Sequence, residues 1–165
     1  MRERTLGLLA VSFGILGVAT WVNAQSKSSP LEGAWMVQQI TYAKPPANPV
    51  NKPTGLVQFV GNHYSLQVLN NGGRPDFGPG GQDTATADQL RATWGPFASN
   101  AGTFTVTGNT IRYTRLIAKN PAVMAPGNWS EDTFMVNGDT LVLTATRNNN
   151  GPVENPQTTR LTRAK

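Results

Sequence analysis

Few side chains in this sequence could do chemistry, and the most suggestive lies in the stretch Thr110 to Ala118. There Ile111, Tyr113, Arg115 and Ile117 share one parity. In a β-strand such residues face one side, so Arg115 would carry its charge into whatever core the apolar members enter. A buried guanidinium without a partner is costly, so Arg115 needs a carboxylate from the protein or from a ligand. We expect it to anchor an anionic head group, with Tyr113 beside it. The alternative is a bulge or a rim position that returns the charge to water.

Other reactive types are sparse. His63 is the single histidine; it stands at a hairpin corner on the parity of Ser65 and Gln67. As a general base it would need a partner, and Asp76 is the nearest candidate in sequence. The spacings His-x-His and HExxH are absent, and with no cysteine there is no thiolate ligand, so no metal site is expected. Ser65 and Ser130 lack the glycines of a nucleophile elbow. The glycines from Gly78 to Gly81 lack the strand, helix and lysine of a phosphate loop. No catalytic residue and no cofactor is assigned. Asn128-Trp129-Ser130 matches a glycosylation sequon, which we discount because the style of the N-terminal segment suggests a bacterium.

That segment explains where the protein works. Arg2 and Arg4 precede an apolar run from Leu6 to Val22, and Val22 and Ala24 supply the small residues that a signal peptidase reads. We expect residues 1–24 to be a signal peptide cleaved after Ala24, residues 25–30 a polar linker, and residues 31–165 one folded domain, periplasmic or secreted. Contact with a membrane is expected only if the segment stays uncleaved as an anchor. The folded part must hold together without disulfides, since the chain has no cysteine. The formal net charge is +5, one unit of which comes from Arg2 and Arg4 against Glu3. The basic residues are scattered rather than clustered with aromatics, so no nucleic-acid partner is expected.

The elements that must position these residues are mostly strands. Apolar alternation and turn residues predict strands at Trp35–Tyr42, Gly55–Val60, His63–Asn70, Thr103–Thr107, Thr110–Ala118, Glu131–Val136, Thr140–Thr146 and Arg160–Ala164. Tight turns are expected at Gly61-Asn62, Gly108-Asn109 and Asn137-Gly138. Pro45, Pro46, Pro49 and Pro53 make Ala43 to Pro53 a surface loop, and the glycines and prolines of Asn71 to Gln82 make another. The run Arg147 to Thr158 is also expected to be loop. Thr86-Ala87-Asp88-Gln89 has capping-box spacing, and Leu90 and Trp94 follow at helical spacing, so a short helix spans Ala87 to about Trp94. It is expected to close or brace the barrel. Sequential strands joined by tight turns predict an all-β fold: an eight-stranded antiparallel up-and-down barrel with one short helix. A β-sandwich with crossing connections is the rival.

The stretches Leu31-Glu32-Gly33-Ala34-Trp35, Gly55-Leu56-Val57-Gln58-Phe59 and Gly61-Asn62-His63-Tyr64-Ser65-Leu66-Gln67-Val68 resemble the bacterial and fungal lipocalin-like domain family. Arg74-Pro75-Asp76-Phe77, Gly102-Thr103-Phe104-Thr105-Val106 and Val136-Asn137-Gly138-Asp139 extend the likeness over nearly all of the chain after the signal segment. The resemblance implies a calycin-type barrel. It also implies a closed-end plug, in which Gly33 permits a tight entry, Trp35 fills the barrel floor, and Arg163 lays its guanidinium on the indole. Arg160 takes that place if the register slips by one.

Alternation assigns Gly55, Val57 and Phe59 to the interior, with Tyr64, Leu66 and Val68, then Phe104 and Val106. Ile111, Tyr113 and Ile117 follow, with Phe134, Val136, Leu141 and Leu143. From these we take Val57, Phe59, Tyr64, Leu66, Phe104, Tyr113, Arg115, Phe134 and Leu143 as the ligand-binding set. The function expected is binding of a small hydrophobic or amphipathic molecule, including an anionic one, in a cavity of about 300 Å³ or more. Two alternatives belong to other classes. One is a cyclase- or isomerase-type enzyme with Tyr64, Tyr113, His63 or Arg115 as polar handles; the other is a filled barrel that binds a protein partner and no ligand.

Overall fold

The computed structural model describes residues 29–46 and 50–165. The segment expected to be a signal peptide, and the expected linker as far as Ser28, lie outside the described residues, as does Pro49. Nine strands run antiparallel: β1 (Gly33–Tyr42), β2 (Thr54–Val60), β3 (His63–Leu69), β4 (Phe97–Thr107), β5 (Thr110–Ala118), β6 (Ser130–Asn137), β7 (Thr140–Asn148), β8 (Gly151–Pro152) and β9 (Gln157–Arg163). Each of the first seven pairs with its successor, β7 pairs with β9, and β9 returns to β1. Eight strands therefore close into an up-and-down barrel, with β8 a two-residue ribbon on β7. This continuous neighbour pairing excludes the sandwich.

The strand ends differ from the sequence expectation in several places. β4 begins at Phe97 rather than Thr103, because Ala98-Ser99-Asn100-Ala101 gives no apolar alternation yet pairs with β3 and β5 on both sides. β9 begins at Gln157 and ends at Arg163, so part of the expected Arg147–Thr158 loop is strand. The last hairpin turns at Gly138-Asp139, with Asn137 still in β6.

The two ends of the barrel are built unlike each other. At one end lie the three tight turns, Gly61-Asn62, Gly108-Asn109 and Gly138-Asp139. Beneath them Trp35, Phe59, Ile111, Leu141 and Leu161 are fully buried, and Leu31 seals the floor from outside the strands. The indole Nε1 of Trp35 donates to the Leu31 carbonyl at 2.7 Å, so its one polar atom is satisfied inside the core. Trp35 pairs directly with Arg163 across β1 and β9. The guanidinium lies 4.1 Å from the indole ring and donates to the Glu32 carbonyl at 2.8 Å. Gly33 makes this stack fit: its φ is +115°, and a Cβ there would come within 3.0 Å of the Arg163 Nη1. Arg160 instead faces outward opposite Gln39.

At the other end the connections are long. Helix α1 (Ala87–Trp94) lies in the β3–β4 connection and carries the expected capping box: Thr86 Oγ1 accepts from the Gln89 amide, and Gln89 Oε1 accepts from the Thr86 amide. The helix is fastened to the outer wall and does not close the barrel. Arg74 stacks against Trp94 and Phe97 at 5.3 and 5.1 Å, and the Lys119 ammonium donates to the carbonyls of Trp94 and Phe97. A cation there suits the negative end of the helix. Among the described residues no helix is long and apolar enough to cross a membrane.

Candidate functional site

The side chains at the long-loop end do not fill the barrel. They leave a cavity of about 160 Å³. Its apolar walls are Val37 and Ile40 of β1, Val57 of β2, Leu66 and Val68 of β3, and Leu143 of β7. Into the same space project Tyr64 from β3, Tyr113 and Arg115 from β5, and Asp132 from β6. Asn70, Asn100, Gln157 and Thr159 complete the polar lining. The cavity is about half the size expected from the sequence. Its wall-to-wall fill by branched and aromatic side chains is the reason, as in other small barrels.

Arg115 reaches this space by regular alternation and is the last residue of β5 before a local irregularity. Gly102 pairs with Arg115 and Ala101 with Ile117, so Leu116 is an extra residue on β5. Up to Arg115 the parity of Ile111 and Tyr113 is kept; beyond the bulge it reverses. Ile117, expected inside, is therefore outside and 67% exposed. Gly102 is required by the same feature, since a Cβ there would lie 2.0 Å from the Thr114 carbonyl oxygen. Val106, also expected inside, pairs with the fully buried Ile111 but is itself 42% exposed.

The polar groups form two arms. Tyr64 and Tyr113 meet edge to face with centroids 4.8 Å apart, and the Tyr64 hydroxyl donates to Asn100 Oδ1 at 2.7 Å. Arg115 Nη2 donates to Ser130 Oγ at 2.7 Å. Among the described residues, no ion pair within 4.0 Å joins Arg115 to Asp132. Burial raises the Asp132 carboxyl to a pKa of about 6, opposed by the attraction of Arg115. Burial also raises both phenols, Tyr113 well above the ordinary value, with the Asp132 charge adding to the effect. Asp132 retains some accessible surface, and that surface faces the cavity.

Of the residues singled out in the sequence, Val57, Tyr64, Leu66, Tyr113, Arg115 and Leu143 line the cavity. Phe59, Phe104 and Phe134 do not. Phe59 and Phe104 pack edge to face at 5.2 Å within the closed-end core, and Phe134 lies against that core. Each pairs across its ladder with a lining residue, Phe59 with Tyr64, Phe104 with Tyr113 and Phe134 with Leu143, so they pack behind the lining rather than line the space. Asp132 went unassigned although its parity matches Phe134 and Val136. Alternation alone is enough to place it inside, but an acid between apolar positions gives no apolar signal. His63 is exposed at the start of β3, beside the Gly61-Asn62 turn, and Asp76 is exposed in the loop after β3. Neither lines the cavity, so the His63–Asp76 pair considered for acid–base work is not assembled.

What this arrangement can do chemically is hold a small polar head between a guanidinium and a carboxylate, with a ring or short chain against the aliphatic wall. Among the described residues no cluster of histidine and acidic side chains could hold a metal ion. The sequence matches no known family profile and no curated protein. Among solved structures it is similar to a point mutant of the fluorescent protein UnaG. The identity is 11%, the match covers 82% of this chain and 97% of that one, and the TM-score is 0.38.

Proposed function

We propose that this protein is an exported lipocalin-like barrel that binds a small amphipathic molecule in the cavity at its long-loop end. One observation carries the reading: Arg115 and Asp132 both face an unfilled space of about 160 Å³ without pairing to each other. Desolvating two charges and leaving them apart lowers stability, and a ligand that satisfies both recovers that loss.

The size of the space narrows the class. A cavity of about 150 Å³ accommodates one benzene ring, so the ligand is a single ring or a short chain with one polar head, rather than a long acyl chain. The aliphatic wall from Val57, Leu66 and Leu143 supplies affinity through burial at about 25 cal/mol per Å²; the polar arms supply orientation. Export rests on Arg2, Arg4 and the apolar run to Val22 followed by Ala24. Membership of the lipocalin-like family rests on the Gly33-Ala34-Trp35 opening and the strand-and-turn series after it.

Native mass spectrometry of the protein purified from its own source tests the reading. A low-mass adduct on the wild type, absent from Arg115→Leu, is the expected result. A bare polypeptide mass in both, together with no response of cavity resonances to ring-sized probes, would contradict it.

A further inference from the structure

Arg115 and Asp132 bring opposite formal charges into one cavity, and this sets the charge of what can enter. With Asp132 ionised the two sum to zero. A monoanionic ligand would then leave one uncompensated negative charge in a partly desolvated cavity, which is disfavoured. A neutral head with an acceptor beside a donor leaves the sum at zero. Its carbonyl oxygen accepts from Arg115, and its N–H donates to the Asp132 carboxylate. With Asp132 protonated the balance inverts: an anion neutralises Arg115, and the Asp132 hydroxyl donates to it.

We propose that the cavity selects head groups by net charge, taking a primary carboxamide when Asp132 is ionised and a carboxylate only when Asp132 carries a proton. The inference rests on the reading of the barrel as a small-molecule binder. No other described residue lining the cavity contributes such a switch. The titratable and charged side chains facing Asp132 are Arg115 and Tyr113 of β5 and Tyr64 of β3. Strands β1, β2, β4, β7 and β9 bring only apolar, amide or hydroxyl side chains to the cavity. Both phenols are neutral over the pH range concerned, since burial moves them upward. Asp132, with its pKa at about 6, is then the one group among the described residues lining the cavity that changes charge between pH 5 and 8.

The test uses three probes of equal ring size, benzamide, benzoate and toluene, titrated into the protein at pH 5 and pH 8 and followed by calorimetry or amide chemical shifts. Benzoate is expected to bind at least about tenfold more tightly at pH 5, because an acid of pKa about 6 changes its protonated fraction roughly 90-fold across that interval. Benzamide is expected to change by less than about threefold and to be the preferred ligand at pH 8. In Asp132→Asn, benzoate is expected to bind equally at both pH values. Benzoate affinity that is independent of pH in the wild type, or a pH dependence that survives in Asp132→Asn, would overturn the inference while the binding reading stands. If none of the three probes binds at either pH, the binding reading fails and the inference falls with it. The wild-type pH dependence is decisive even if the variant does not fold.

Discussion

Arg163 at the closed end and Arg115 at the long-loop end both point a guanidinium toward the barrel interior, on opposite terms. Arg163 stacks on Trp35 at 4.1 Å, donates to the Glu32 carbonyl, and approaches Asp139 at 3.7 Å. Beneath it Trp35, Phe59, Ile111, Leu141 and Leu161 are fully buried. Arg115 holds one hydroxyl, that of Ser130, and shares an unfilled cavity with an acid that it does not meet. The difference separates two uses of the same residue. At the floor the charge is spent on closing the barrel; at the mouth it is kept available at a cost in stability.

That contrast can be broken most forcefully at the floor. Trp35→Ala is expected to cost about 3–5 kcal/mol, the range for deleting a large aromatic from a packed core, measured by urea denaturation. The loss includes the satisfied indole N–H and the platform under Arg163. Arg163→Ala follows at about 1–3 kcal/mol, from the cation–π contact and the hydrogen bond to Glu32. A wild-type melting temperature for Arg163→Ala would remove the floor from the comparison.

At the mouth the sign reverses. The Asp132 pKa is higher in the folded protein, at about 6, than the ordinary carboxyl value. Between these two values the folded state binds more protons than the unfolded state, so stability falls as pH rises through that window. The penalty is absent below about pH 4, where both states are protonated, and is complete above pH 6. Asp132→Asn is therefore expected to stabilise the protein by about 1–3 kcal/mol at pH 7.5 and to change little at pH 3.5, as read from denaturation at the two pH values. The smallest effect is at the helix. Thr86→Ala is expected to cost about 1 kcal/mol through the lost cap and to leave cavity binding unchanged, since no residue of α1 lines that space.

The floor was far more legible in the sequence than the mouth. Gly33, Trp35 and Arg163 are placed by the resemblance to lipocalin-like domains, on stretches of β1 and β9 that pair without a register shift from Val37 to Trp35. Alternation places Ile111 and Leu141. The mouth depends on irregularities that a strict period of two cannot represent. The extra residue at Leu116 sends Ile117 outward, and the polar start of β4 pairs without any apolar signal. Arg115 was placed inside because it lies just before the bulge. Asp132 was within reach of the parity argument, yet an acid among apolar positions looks like a solvent-facing residue until its strand partners are known. Which members of a ladder pair line the space and which pack behind it, the distinction that removes Phe59, Phe104 and Phe134 from the cavity, is set by side-chain packing rather than by any local pattern.

The central claim is that Asp132 is a desolvated acid held open for a ligand beside Arg115. Its side-chain carboxyl carbon, followed by NMR as pH is varied, tests this directly. The expected titration midpoint is about 6 in the free protein, displaced by more than half a unit when benzamide or benzoate is added. A midpoint near the ordinary aspartate value of about 4, unmoved by either probe, would contradict the account.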